Sequence, residues 1–460
     1  MRHLWAEQAL TQSGWQRDVH VIIGDDGRIS SIESGFAAES SVVKQADKLG
    51  VLLPSPTNLH SHAFQRAMAG MTETRGPDPK DSFWTWRKLM YRFLDHLSPD
   101  DIEAITAYMQ MEMLEAGYAA VCEFHYLHHQ PGGVAYDDIG ELSYRISAAA
   151  KDTGIGLTLL PVLYEHGGCD GRTLGPGQIR FGNTPDRFQK LFEAAAQALK
   201  TLPDDTRLGV APHSLRAVSQ EGMRFATGLA STAPLHMHIA EQTAEIEEIQ
   251  SAWGKRPVEW LLENHSVDER WCLIHCTHME PHETEGLART NAVAGLCPIT
   301  ESSLGDGIFD GVRYINSGGR FGVGSDSNIR ISLSEELRTL EYSQRLRDRG
   351  RAVFATKEKS TGRVLMDAVV AGGTQAGQRE AGAIAVGQRG DLFALDMNAV
   401  DLLGKEGDAI LDSYIFAGDD KMITDVWSAG RHLVKEGHHV KRDQIVTRYK
   451  KTMMSLKDRI

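Results

Sequence analysis

Between residues 51 and 324, short apolar runs alternate with longer stretches in which apolar residues recur at helical spacing. Eight runs stand out, at 51–59, 119–125, 156–164, 207–211, 234–239, 271–275, 292–297 and 320–324. The segments between them read as helices. The one at 100–116, for example, has Ser98 as N-cap, Pro99 at the first helical position and Asp101 in the first turn. Eight βα units in one domain predict an α/β fold, a TIM-like (β/α)8 barrel. The two ends of the chain are patterned differently. Alternating segments at 18–23 and 28–32 flank Gly24-Asp25-Asp26-Gly27, a hairpin signature. Similar segments return at 390–396 and 422–430. The pattern predicts a small β-sandwich domain built from both termini, 1–53 and 377–460, around a catalytic barrel at 54–376.

Composition narrows the class. The chain has 460 residues, 41% hydrophobic and 24% charged, the profile of a soluble globular protein with one large domain and a smaller one. Lysine plus arginine is 49 against 62 aspartate plus glutamate, a net charge of −13, which argues against nucleic acid or an anionic membrane as the main partner. A local arginine site for a small anion stays open. No stretch approaches the ~18–20 apolar residues of a membrane span. The opening Met1-Arg2-His3-Leu4-Trp5-Ala6-Glu7 has no apolar signal core, so a cytoplasmic protein is expected. The five cysteines, Cys122, Cys169, Cys272, Cys276 and Cys297, are odd in number and lack pairing spacing. They read as buried, inert thiols rather than a disulfide framework or a zinc knuckle.

The candidate chemistry sits at the ends of the runs. In Leu59-His60-Ser61-His62 two histidines at i and i+2 face one side of an extended chain and grip one cation from one direction. His238, His275 and Asp326 fall at or just past the ends of later runs, on the rim where such barrels keep their chemistry. Together they predict a metal centre. The pairs His128-His129 and His438-His439 read as hydrogen-bonded structural residues. Around the same rim lie Gln65, Tyr126, Arg216 in Ala211-Pro212-His213-Ser214-Leu215-Arg216, and Arg87 in Ser82-Phe83-Trp84-Thr85-Trp86-Arg87. Two guanidinium forks predict recognition of two carboxylates, hence a small dicarboxylate substrate. Glycine-rich stretches at 70–80 and 167–177 are candidate lids.

These segments, with His238-Ile239-Ala240-Glu241, His275-Cys276-Thr277-His278 and Gly324-Ser325-Asp326, resemble the deaminase branch of the amidohydrolase superfamily over nearly the whole chain. The resemblance implies one divalent metal ion, zinc foremost, held by His60, His62, His238 and Asp326. The third and fourth runs contain no lysine, which supports one metal over two. It also implies three catalytic residues. The ion lowers the pKa of its bound water; Asp326 takes the water proton, His275 orients the resulting hydroxide, and Glu241 carries a proton to the departing nitrogen. Within the branch, His60-Ser61-His62-Ala63-Phe64-Gln65-Arg66-Ala67-Met68 and the segment ending at Arg87 resemble the N-formimino-L-glutamate iminohydrolases. That implies a substrate-binding set of Gln65, Arg87, Tyr126, His213 and Arg216, and hydrolysis of the formimino C=N to N-formyl-L-glutamate and ammonia in histidine degradation. A homodimer is expected from the same resemblance. The competing readings are a deaminase acting on a heterocycle or another formimino-amino acid, and a metal-free scaffold, against which the full ligand set argues.

Overall fold

In the computed structural model, residues 1–73, 83–229 and 231–459 are described, with the backbone alone for 83–85. Eight barrel positions are filled in chain order. They are Thr57–Ser61, Ala120–His125, Gly156–Leu163, a broken strand of Arg207–Leu208 and Ala211–Pro212, Leu235–Ile239, Trp271–His275, Val293–Leu296 and Arg320–Val323. All pair in parallel with their neighbours, the first four as one sheet and the last four as another. Parallel bridges Val210–Leu235 and Ser214–His238 join the fourth position to the fifth, and Ser61–Asp326 joins the last to the first, so the ring closes. At the closing seam Asp326 N–H donates to the His60 carbonyl at 2.9 Å and His62 N–H to the Asp326 carbonyl at 3.0 Å. Gly324 makes that approach possible: a Cβ there would sit 2.6 Å from the His60 nitrogen.

The apolar run at 51–59 is two elements rather than one. Asp47–Pro54 is a strand of the terminal sheet, and the first barrel strand starts only at Thr57. Pro56, which has no N–H to donate, separates the two ladders. The terminal sheet has eight strands, in the order His438–His439, Arg431–Lys435, Ile423–Ser428, Leu392–Leu395, Asp47–Pro54, Arg2–Thr11, Gly14–Ile23 and Ile29–Glu33. Both ends of the chain therefore build it. The hairpin read from Gly24 to Gly27 is present as the antiparallel pair Gly14–Ile23 and Ile29–Glu33. The long strand Arg2–Thr11 was not legible beforehand.

Phe393, Leu395 and Val426 of the sheet share one apolar cluster with Tyr118, Leu157 and Leu333 of the barrel. A buried ion network crosses the same boundary. Arg379 donates to Asp391 at 2.7 and 2.9 Å and to Asp205 at 3.1 Å, while Arg431 reaches Asp205 at 2.7 Å. The helix Pro99–Glu115 starts in a full capping box between Ser98 and Asp101. Across it lies the C-terminal helix Arg442–Lys457, with Tyr449 stacked on Tyr108 at 3.9 Å. No helix among the described residues is long and apolar enough to cross a membrane. Cys122, Cys272, Cys276 and Cys297 are buried, but Cys169 is only half-buried, because it lies on the glycine-rich loop after the third strand.

Candidate metal centre

The rim of the barrel brings four donors together. One ligand atom from each of His60, His62, His238 and Asp326 lies within 4.8 Å of the others, and all four residues are buried. The hydrogen bonds around them decide which nitrogen faces inward. His62 Nδ1 is 3.1 Å from the Phe124 carbonyl and His238 Nδ1 is 3.1 Å from the His213 carbonyl. A carbonyl only accepts, so both Nδ1 atoms carry the proton and both Nε2 atoms present lone pairs. Yet His62 Nε2 stands 3.2 Å from Asp326 Oδ1, and His238 Nε2 stands 3.1 Å from His60 Nε2. The Nε2 lone pairs of His62 and His238, turned toward Asp326 and His60, form an electron-rich centre that a cation satisfies. The residues present therefore fit a divalent metal ion.

Burial sets the protonation states that such a site requires. It drives His60 down to about 3 and His238 well below the usual imidazole range, so both rings are neutral near pH 7. Burial would raise the Asp326 carboxyl, but protons on the His60 and His62 nitrogens facing it outweigh that and hold it well below the usual range. With those nitrogens turned in as lone pairs, a cation takes over that part. His275 sits beside this set, 3.9 Å from Asp326 and 3.8 Å from Glu241. Burial opposes charge on its ring, yet Glu241, Glu301 and Asp326 raise it to about 10. A dication at the ligand set opposes that charge and favours the neutral ring.

The backbone is strained where these side chains leave the strands. Ala240, His275, Cys276, Asp326 and Asn328 all have positive φ, between 44° and 73°, in a region that costs non-glycine residues energy. Hydrogen bonds hold the strained turns. Asn328 donates to the carbonyls of His62 and Asp326, both at 3.1 Å, and accepts from Ser325 Oγ at 2.6 Å.

Above the centre opens a cleft. Its walls include Gln65, Arg87, Tyr126, His213 and Arg216, together with His62, His238, Glu241, His275 and Asp326. His60 is the one metal-ligand candidate not in the wall; it lies beneath, fully buried. Gln65 Nε2 donates to the Tyr126 hydroxyl at 2.8 Å. Arg216 Nη2 donates to Glu241 Oε2 at 3.3 Å, so the anticipated carboxylate binder and the anticipated proton carrier are paired. Of the expected lids, 74–80 lies outside the described residues, as does Ser82. The 167–177 loop is packed: at Gly177 a Cβ would meet the Tyr91 ring at 2.2 Å.

Two carboxylates at the site were missed in the sequence. Glu301 Oε1 faces His275 Nδ1 at 3.2 Å and accepts from the Cys297 N–H at 2.9 Å, which turns the other ring nitrogen of His275 toward the cleft. His275, Cys297 and Glu301 also converge, but His275 Nδ1 and Glu301 Oε1 are already paired with each other. Glu245, fully buried, accepts from the backbone N–H groups of Ala240 and Glu241 at 3.1 and 3.2 Å and stands 3.6 Å from Arg216 Nε. Both are first-turn helix glutamates, which a sequence presents only as helix starts. Tyr164, in the same wall, went unread because its apolar run hid its hydroxyl.

Comparison with known proteins agrees with this fold. The model of the family described as "Amidohydrolase family" matches residues 51–433, and that of "Formimidoylglutamate deiminase HutF, N-terminal domain" matches 1–42. The chain is 47% identical to a formimidoylglutamate deiminase of Pseudomonas aeruginosa over 463 aligned positions, 100% of each chain. The crystal structure of an amidohydrolase from Brucella melitensis superposes with a TM-score of 0.94 at 43% identity, covering 99% of this chain and 100% of that one. An adenosine deaminase from Xanthomonas campestris with bound zinc shares the fold, with a TM-score of 0.81 at 18% identity over 99% and 98% of the two chains. With a family model matching 51–433 and a full-length relative at 47% identity, the chain belongs to the amidohydrolase family.

Proposed function

We propose that this protein is a formimidoylglutamate deiminase, a metal-dependent hydrolase that converts N-formimino-L-glutamate and water to N-formyl-L-glutamate and ammonia. The observation that carries the reading is one cleft, in a chain of this family, that joins a four-donor metal centre to two guanidinium groups, Arg87 and Arg216. Arginine binds carboxylate in a fixed fork, and the substrate has two carboxylates.

A divalent ion at these four residues supplies a Lewis acid and a water whose pKa is lowered toward neutrality. The chain's own groups do the rest. Asp326 accepts the proton of the attacking water. His275, between Asp326 and Glu241, orients that water. The water oxygen bonds to the formimino carbon, and both water protons pass by way of Asp326 and Glu241 to the terminal nitrogen; the carbon–oxygen bond becomes a carbonyl as the carbon–nitrogen bond breaks, and ammonia leaves. Arg87 and Arg216 take the two carboxylates, with Gln65, Tyr126 and His213 completing the wall. The finer parts of the reading are zinc as the ion, supported by the His₃Asp donor set, and a cytoplasmic homodimer serving histidine degradation, which rests on the family resemblance.

The direct test is ammonia release from N-formimino-L-glutamate by the zinc-loaded protein; no turnover overturns the proposal. Arg216→Met is expected to lower kcat/KM at least about 100-fold, the scale of a buried charge deprived of its partner. Because Arg216 also pairs with Glu241, kcat is expected to fall too; a deaminase of neutral heterocycles would show that fall without a rise in KM.

A further inference from the structure

Tyr164 ends the third barrel strand region and lines the cleft, 2% exposed, with its ring 4.6 Å from that of His213. Two donors point at its hydroxyl oxygen: Arg87 Nη2 at 2.8 Å and Gln178 Nε2 at 2.8 Å. Neither assignment can be reversed. A guanidinium only donates, and the Gln178 amide is oriented by its other end, where Oε1 accepts the Gly175 N–H at 2.9 Å. With two N–H groups directed at it, the oxygen has spent its accepting capacity, and its one proton has to be donated. Among the described residues no acceptor takes that proton, and the open side of the residue is the cleft.

We infer that Tyr164 is a further substrate-binding residue, donating its O–H to the same carboxylate that Arg87 takes. The inference rests on the dicarboxylate reading above and deepens it. A buried O–H left without an acceptor is costly. Beside a guanidinium, the acceptor that relieves it is an anionic oxygen. Arg87 and Tyr164 then act as a paired N–H and O–H clamp, and Gln178 fixes the hydroxyl from behind. The 167–177 loop acquires a role through Gln178: it braces the clamp.

Tyr164→Phe keeps the ring and removes the donor. With the zinc-loaded protein and N-formimino-L-glutamate, KM is expected to rise roughly 10- to 100-fold, the size of a hydrogen bond to a charged group, with kcat within about 3-fold. Two analogues each lack one carboxylate, N-formimino-4-aminobutyrate and N-formimino-L-2-aminobutyrate. On one of them variant and wild type should behave alike, and it should be the one on which Arg87→Met is also silent. Adding Tyr164→Phe to Arg87→Met should weaken the intact substrate further. An unchanged KM, an equal loss on both analogues, or no added loss in the Arg87→Met background overturns the donor role; the last outcome would mean that Tyr164 only holds Arg87. Failure of the wild type to release ammonia would instead overturn the proposed function. Glutarate binding by calorimetry needs no turnover and decides the donor role in that case too, since equal affinity in wild type and Tyr164→Phe overturns it.

Discussion

His60 has no solvent exposure, a ring held near neutral by burial, and an Nδ1 atom without a hydrogen-bond partner among the described residues. Such a residue is costly unless its other nitrogen binds something. Two outcomes follow at this scale. His238→Ala should drop the metal content well below one ion per chain by elemental analysis, with the far-ultraviolet spectrum retained. Chelation of the wild type should abolish ammonia release, and zinc should restore it. Glu301 makes a different point. It does not line the cleft, yet it fixes the tautomer of His275 and supplies charge beside it. Glu301→Gln keeps an acceptor but loses the charge, so kcat should fall roughly 10-fold or more with KM nearly unchanged, as for other groups that orient a residue of a metal site. A fall in KM affinity instead would place Glu301 among the substrate contacts.

At the scale of elements, the site is a set of strand ends held in strained turns, and the supporting helices tune it from outside. Arg66, next to Gln65, pairs with Glu112 of Pro99–Glu115 at 2.5 Å, so that helix anchors the loop after the first strand. Ser98→Ala removes its cap and should cost about 1 kcal/mol in urea unfolding, with kcat/KM little changed. The elements also show why some of the site was legible and some was not. His60, His62, His238 and Asp326 could be read because a parallel barrel puts the ends of its strands on one rim, so position in the run already implies position in space. The place of Arg87 and Arg216 in the cleft wall could be read from their nearness to that rim, while their carboxylate-binding role belongs to the proposed function. Glu245, Glu301 and Tyr164 could not, because their roles depend on partners tens of residues away or on the count of donors around one oxygen. The split of 51–59 escaped for a related reason: an apolar run marks burial, but not which of two sheets buries it.

At the scale of the whole molecule, barrel and terminal sheet are joined by the Arg379 network. Arg379→Met leaves Asp205 and Asp391 buried without their shared partner and should cost about 3–5 kcal/mol, seen as a lower thermal midpoint. The same network has a pH signature. Burial pushes the Asp205 carboxyl up, but Arg431 and Arg379 outweigh it and hold it at about 2, against 3.8 for an ordinary aspartate. Its contribution to stability is therefore complete above about pH 4 and lost as pH falls through about 2. Asp205→Asn should be less stable at neutral pH and should lose this share of acid sensitivity, measured by urea midpoints between pH 4 and 2. The closing seam carries a last consequence. His60 lies in the first barrel strand, His62 just past its end, and Asp326 follows the eighth, 266 residues after His60. A growing chain holds three imidazoles long before it holds the carboxylate, so the full donor set exists only once the ring has met its own beginning. An ion bound there works as a clasp: it favours the joined ends over the parted ones, and its capture marks a chain that has come full circle.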